Sequence, residues 1–136
     1  MAAWVNAETI ESKVDMFHPI LLTQDQAATE VTHVDLPGGV WLISGNINFF
    51  ESAEQGTVFV AGGIDITVSI PSDGTSPITG QQLDAPKNVI QCTSLPSRLV
   101  KFNTPTRVYL NAYSNQPGQP PPRAYAWGYI SATRAQ

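Results

Sequence analysis

Side chains able to hold a metal ion are few in this chain and are spread along it. His18 and His33 are the two histidines, fifteen residues apart, and Asp15 and Asp35 lie close to them in sequence. Tetrahedral metal sites usually contain His or Cys ligands paired at short spacing, which this pattern lacks. The sequence therefore predicts ordinary strand histidines, no metal site and no other cofactor.

Residues for hydrolytic chemistry are present but are not arranged for it. Glycoside hydrolysis uses two carboxyl groups that face each other across a cleft, and nothing in the sequence brings two acidic side chains to such positions. A nucleophilic serine of the elbow type sits between a strand and a helix and has a histidine partner, and Ser44-Gly45 has neither. We therefore predict that the protein is not an enzyme. The carboxylates considered are Glu51, Glu54, Asp65, Asp73 and Asp84.

This chain has few charged residues, and their small number limits the kinds of molecule that it can bind. Charged residues make up 13% of the sequence, against roughly 25% in ordinary soluble domains. The seven Lys and Arg residues form no basic patch, and the net charge is −4, so we predict no nucleic-acid partner. No run approaches the ~18 apolar residues of a membrane span, which predicts no membrane insertion. A surface poor in charge favours burial against copies of the same chain.

Cys92 is the single cysteine, so no disulfide can form within the chain. Free cysteine is among the most often buried residue types. We therefore expect Cys92 to be a small buried residue in a strand over residues 88–95.

The hydrophobic pattern is that of an all-β protein. Apolar and polar residues alternate with period 2 between turns rich in Gly and Pro, which predicts strands. Regular spacing of such strands favours an antiparallel β-sandwich of jelly-roll type with seven to eight strands. We expect a short arm over residues 1–13, weakly helical at most, and a single domain over residues 14–136. The predicted strands cover residues 14–23, 29–36, 40–50, 57–70, 87–95, 98–102, 107–114 and 123–136.

Alternation also predicts which face of the long strands is buried. Over residues 40–50 the apolar face holds Trp41, Ile43, Ile47 and Phe49, after a turn at Leu36-Pro-Gly-Gly. Residues 57–70 are expected to form one long strand with a bulge or bend at the paired glycines. Its expected apolar face contains Ile64, Ile66, Val68 and Ile70.

Aromatic residues are concentrated in the last two predicted strands and would share a face if those strands paired. They are Tyr109, Tyr113, Tyr125, Trp127 and Tyr129. The favoured interpretation is a subunit interface. In a buried core each tyrosine hydroxyl would need a hydrogen-bond partner, and a core containing all five rings would supply few of them. A sandwich core and an aromatic sugar platform, with Asn111 and Arg123 as polar neighbours, stay open as alternatives.

Two segments rich in Gly, Pro, Ser and Gln, residues 71–86 and 115–122, are predicted to be projecting loops. Loops on a rigid sandwich often carry recognition, so these are the expected sites of target contact. The candidate recognition residues are Ser72, Asp73, Gln81, Gln82, Asn115, Gln116, Gln119 and Arg123.

Four short motifs carry a resemblance to a known group of proteins. They begin at Leu36-Pro-Gly-Gly-Val-Trp-Leu-Ile-Ser-Gly, Val60-Ala-Gly-Gly-Ile, Thr104-Pro-Thr-Arg-Val-Tyr-Leu-Asn-Ala and Ala126-Trp-Gly-Tyr-Ile-Ser-Ala-Thr-Arg. Over residues 29–134 the chain resembles small bacteriophage and prophage virion proteins, which have trimeric jelly-roll heads of the tumour necrosis factor and complement globular-head type.

The resemblance implies a non-enzymatic structural protein of a phage virion, made in the bacterial host cytoplasm and forming a homotrimer. Its implied partners are other virion proteins of the capsid or tail and a host surface glycan. The chain lacks the coiled coil, collagen-like repeat or shaft of an intact fibre, so the resemblance is to a detached tail-fibre knob or a particle decoration protein. A carbohydrate-binding, lectin-like domain is the alternative function.

Overall fold

A computed structural model describes residues 8–22, 28–51, 58–69, 77–85, 89–115 and 124–135. Within these ranges the regular structure is entirely β-strand. The strands are β1 (Thr9–Val14), β2 (Ile20–Leu21), β3 (Thr29–Leu36), β4 (Gly39–Glu51), β5 (Val58–Asp65), β6 (Thr79–Ala85), β7 (Gln91–Phe102), β8 (Thr106–Asn115) and β9 (Ala124–Arg134).

The strands form two antiparallel sheets. Sheet I has the order β1-β9-β4-β7, with β2 also paired to β9, and sheet II has the order β3-β8-β5-β6. Because β1 and β2 share one position beside β9, each sheet has four strand positions, and this order is that of a jelly roll. The predicted fold class is confirmed. The described ranges contain nine strands, because residues 9–14 and 79–85 form strands that the pattern does not predict, whereas the two strands predicted between 87 and 102 are one. A turn, in which His18 N donates to Asp15 O at 3.1 Å, separates β1 from β2.

The core lies between the two sheets, and β4 contributes its largest side chains. Trp41, Ile43, Ile47 and Phe49 are fully buried, as the alternation predicts. They lie in one cluster with residues of sheet II such as Leu110. The predicted turn precedes β4: Trp41 Nε1 donates to Pro37 O at 2.9 Å, and Gly39 has a φ of 142°, which favours glycine.

The small residues of β9 and β5 allow the backbones and sheets to approach closely. A Cβ on Gly128 would lie 2.2 Å from Asn46 O, and one on Gly62 would lie 2.5 Å from Ile47 Cγ2. The predicted bulge at Gly62 and Gly63 is wrong, because both residues keep regular pairing with β6 and β8. Gly62 instead makes room for a core side chain from the opposite sheet.

The expected long strand over residues 57–70 ends early. β5 stops at Asp65, whose carboxylate accepts hydrogen bonds from Ile66 N at 2.8 Å and Ser69 Oγ at 3.0 Å. The chain turns away from the sheet there. Ile66 and Val68, expected to be buried, are therefore 51% and 44% exposed, and Ile70 lies outside the described residues.

Three further expectations differ from the structure. Part of the predicted arm forms β1, paired with β9 from Thr9↔Thr133 to Val14↔Gly128, because residues 9–14 alternate and find a partner in the last strand. The two strands predicted between 87 and 102 are one, β7, with an irregular register opposite Ile43 and Gly45. Cys92 is exposed, because it lies opposite Asn48 on the outer face of sheet I.

Candidate interaction surface

The aromatic residues of the last two strands lie on opposite sides of the molecule. β9 belongs to sheet I and β8 to sheet II, so the two strands do not pair. Tyr125, Trp127 and Tyr129 alternate with buried residues on the outer face of sheet I, and Tyr109 and Tyr113 do so on sheet II. The predicted single aromatic surface is therefore wrong, because alternation fixes the face of a strand but not its partners.

On the outer face of sheet II, polar side chains bind one another. Arg107 donates from Nε to Asp35 Oδ1 at 2.7 Å and from Nη2 to Asp35 Oδ2 at 3.2 Å. This guanidinium lowers the pKa of the Asp35 carboxyl. Glu30 Oε2 lies 3.0 Å from His33 Nδ1, and the His33 ring packs edge-on against Tyr109, with centroids 6.0 Å apart.

The segment after β5 adds to this closed polar surface. Asn111 is buried and donates from Nδ2 to Thr67 O at 2.8 Å, which ties the turn after Asp65 to β8. The sugar platform suggested by the sequence would need an exposed Asn111. That part of the suggestion is wrong, and Arg123 lies outside the described residues.

The outer face of sheet I is different, because its two central strands carry no charge there. Among the side chains that the structure describes on this face, charged outward residues occur only on the edge strands, as Glu11 and Lys13 on β1 and Lys101 on β7. The outward residues of the central strands are Tyr125, Trp127, Tyr129, Ser131 and Thr133 on β9, and Val40, Leu42, Ser44, Asn46, Asn48 and Phe50 on β4.

One end of this face is an apolar cavity of about 340 Å³. Its neighbourhood exposes large apolar side chains: Met16 is 51% exposed, Leu21 50% and Ile90 46%. Contiguous exposed apolar surface of this kind marks interaction sites. We call this region the apolar cavity; its lining residues are Met16, Pro19, Phe50, Ile90, Tyr125 and Trp127.

Next to it on the same face lies a more polar cleft of about 440 Å³, which we call the Tyr129 cleft. It is lined by Glu11, Ser12, Lys13, Ser44, Tyr129 and Ser131. The Ser12 side chain lies on the opposite face of β1, and its hydroxyl forms a hydrogen bond with the Thr32 hydroxyl of β3. The sequence pattern does not predict this cleft, because residues 1–13 are expected to form an arm. The alternation of Thr9, Glu11 and Lys13 with Ile10, Ser12 and Val14 is the signal that identifies β1.

The predicted recognition residues fall into three groups. Gln81 and Gln82 are exposed but lie on strand β6, which pairs with β5, so their placement in a loop is wrong. β6 is an edge strand that pairs with β5 only, and such strands tolerate polar residues on both faces. The hydrophobic alternation that predicts a strand is therefore weak there. Asn115 is the last residue of β8. Ser72, Asp73, Gln116, Gln119 and Arg123 lie outside the described residues.

The histidines do not come together. His18 Nδ1 lies 3.0 Å from Asp15 Oδ1, and His33 binds Glu30 as described above. In the described part of the chain, no three side chains of His, Cys, Asp or Glu are grouped as a metal site would require. A helix long and apolar enough to cross a membrane is likewise missing from the ranges that the structure describes.

Comparison with known proteins gives matches in structure alone. No protein-family model matches the chain, and no curated protein matches its sequence. Among solved structures, a chain of the infectious bursal disease virus T13 viral particle aligns with a TM-score of 0.60 and 9% identity over 94% of this chain. Chains of the virus Gx strain and of its VP2 subviral particle align with TM-scores of 0.59 and 0.58, each with 8% identity over 95% of this chain.

The structural similarity to these viral chains concerns the fold of this chain alone. At 8–9% sequence identity, no residue role can be transferred from those viral proteins to this chain. Nearly the whole of this chain aligns with them, which agrees with the jelly-roll strand order. The chain spans about a third of the length of these viral chains, 31–33% of each.

Proposed function

We propose that this chain is a non-enzymatic structural subunit of a virion that assembles into a homotrimer through the outer face of sheet I. The observation that carries the proposal is the uncharged outer surface of β9 and β4, which ends in the apolar cavity. Burying a charge at an interface is costly unless it is paired, and these central strands bring no charge to be buried.

The contrast with sheet II supports this choice of face. There, Arg107 pairs with Asp35, and covering that pair would remove water from both charges. On sheet I, contact with a second copy would cover Trp127, Tyr125 and Phe50 together. Large aromatic residues at the centre of an interface contribute most of its binding energy.

Two observations support the proposal that this chain belongs to a virion. The sequence motifs resemble phage virion proteins, and the fold is similar to part of the viral particle proteins named above. We propose that the trimer either decorates the particle, bound to capsid or tail proteins, or forms a knob that meets the host surface through the recognition segments predicted from the sequence, residues 71–78 before β6 and residues 115–122. The bacteriophage origin and virion location belong to the same proposal.

Replacing Trp127 by Lys tests the proposed interface. A lysine in the apolar cavity places a charge where the second copy would pack, so the variant should sediment as a monomer at micromolar concentration while keeping its β-sheet circular dichroism. The matched control is Gln82→Lys, which adds the same charge on β6 of sheet II and should leave the trimer intact. A trimeric Trp127→Lys variant would contradict the proposed interface.

A further inference from the structure

The turn between β1 and β2 carries Phe17, which at 80% exposed is the most exposed large apolar side chain among the described residues. Its neighbours Met16 and Pro19 line the apolar cavity, so this turn forms one rim of it. We propose that Phe17 of one copy inserts into the apolar cavity of the next copy in the trimer. This inference rests on the proposed assembly and names the residue that fills the cavity.

A ring of three subunits requires two different contact patches on each chain. Two copies that contact each other through the same patch are related by a twofold axis, and their assembly closes at a dimer. In a trimer, each subunit therefore offers one patch to the copy on its left and another to the copy on its right. The apolar cavity supplies one patch of this pair, and a protruding apolar side chain would complement it.

The turn holds Phe17 in place without covering its side chain. The Asp15 carboxylate accepts a hydrogen bond from Phe17 N at 3.0 Å and lies 3.0 Å from His18 Nδ1. A residue that is already fixed loses little conformational entropy on binding, and aromatic residues are enriched in interfaces. Because Asp15 is bonded within the turn, docking of Phe17 would not leave its carboxylate without a partner.

The apolar cavity suits a phenyl ring in size and in chemistry. Its volume is about 340 Å³, whereas an apolar cavity of about 150 Å³ is enough to hold a benzene molecule. None of the lining residues that the structure describes is charged, and Phe50, Tyr125 and Trp127 are aromatic. Aromatic rings attract one another in offset-stacked or edge-to-face geometry, so these walls favour an inserted phenyl ring.

The closeness of Phe17 to the cavity of its own chain indicates where the threefold axis passes. Phe17 lies one residue from Met16 and two from Pro19, so its Cα is less than about 8 Å from theirs. Its exposure shows that it does not fill this cavity itself. A rotation of 120° carries a point to a nearby position only when that point lies close to the axis. We therefore expect the three Phe17 contacts to surround the axis.

The test is a pair of lysine variants, each of which removes one half of the contact. Phe17→Lys removes the inserted ring and keeps the cavity, whereas Trp127→Lys keeps the ring and blocks the cavity. Each variant alone should have the mass of a single chain, 14.7 kDa, by light scattering at low micromolar concentration. An equal mixture at high micromolar concentration should contain a complex of two chains. One intact contact holds this complex together, and the two lysines that would meet at the other contact prevent a third copy from joining.

Ile66→Lys is the matched control for the added charge. Ile66 is 51% exposed and also lies in a turn whose aspartate accepts from its N–H, but this turn follows β5 of sheet II. The control variant should remain a trimer. Phe17→Ala, which adds no charge, should weaken each contact by roughly thirtyfold or more, the effect of losing a hot-spot residue. All variants should keep their β-sheet circular dichroism, because both replaced side chains in these turns are exposed and Trp127 is outward.

Two results would overturn the inference: a Phe17→Lys protein that stays trimeric, or a mixture of the two lysine variants that contains monomers only. The first result is the one expected if an apolar small molecule or another segment of the partner fills the cavity. It would leave the proposed interface in place and remove Phe17 from it. A monomeric wild-type chain would instead contradict the proposed assembly, and this inference with it.

Discussion

At the scale of single residues, two arginines bind carboxylates that lie far from them in the sequence. Asp35 and Arg107 form a two-point contact on sheet II, and Arg134 on β9 binds Glu8 at 2.9 Å while its guanidinium lies 4.5 Å from the Trp41 ring centroid. Neither contact was predictable from sequence, because the partners lie far apart along the chain and depend on strand pairing. The exposure of Cys92 has the same origin, since strand pairing places it opposite Asn48 on the outer face of sheet I.

The Asp35 pair predicts a pH dependence of stability. Arg107 lowers the pKa of Asp35 from its ordinary value of 3.8, so the folded state gains stability from the ionised carboxylate above that pH and loses it as the pH falls further. Chemical unfolding of wild type and Asp35→Asn should differ by a constant amount above about pH 5 and converge at lower pH. The variant Arg107→Gln should remove the same pH dependence. A difference that does not change between pH 5 and pH 2 would contradict the role assigned to this pair.

At the scale of strands, alternation identified most elements and their buried faces. β3, β4, β8 and β9 lie close to their predicted positions, because each is long and has one clear apolar side. β6 was missed because an edge strand tolerates polar residues on both sides. The early end of β5 was missed because it depends on Asp65 accepting hydrogen bonds from the turn that follows.

The close approach of β9 and β4 gives a prediction about Gly128. A Cβ at this position would lie 2.2 Å from Asn46 O and 3.0 Å from Ile47 Cα, and backbone atoms of a central strand cannot move aside as a flexible side chain would. Gly128→Ala should therefore lower the free energy of unfolding by about 1–3 kcal/mol.

The measurement is a urea titration, with Ser131→Ala as the matched control three residues along the same strand. Ser131 is outward and should change stability by less than about 0.5 kcal/mol. Equal stability of Gly128→Ala and wild type would show that the two strands do not need glycine there.

At the scale of the whole molecule, the fold class followed from the sequence but the arrangement of the site did not. Period-2 alternation and regular turns predict a jelly roll, and the two antiparallel sheets confirm it. The sheet to which each strand belongs depends on long-range pairing, which no local pattern specifies. The aromatic residues were therefore placed on one predicted surface, whereas the structure divides them between two outer faces with different chemistry.

The outer face of sheet I is the proposed contact between copies of this chain. An obligate interface on this face would bury on the order of 2,000 Å² or more in total, enough to keep the oligomer intact in dilute solution. The direct measurement is the mass of the wild-type chain by light scattering, from high to low micromolar concentration. We predict three times the chain mass of 14.7 kDa throughout this range, and a particle of 14.7 kDa at every concentration would contradict assembly of the chain into a trimer.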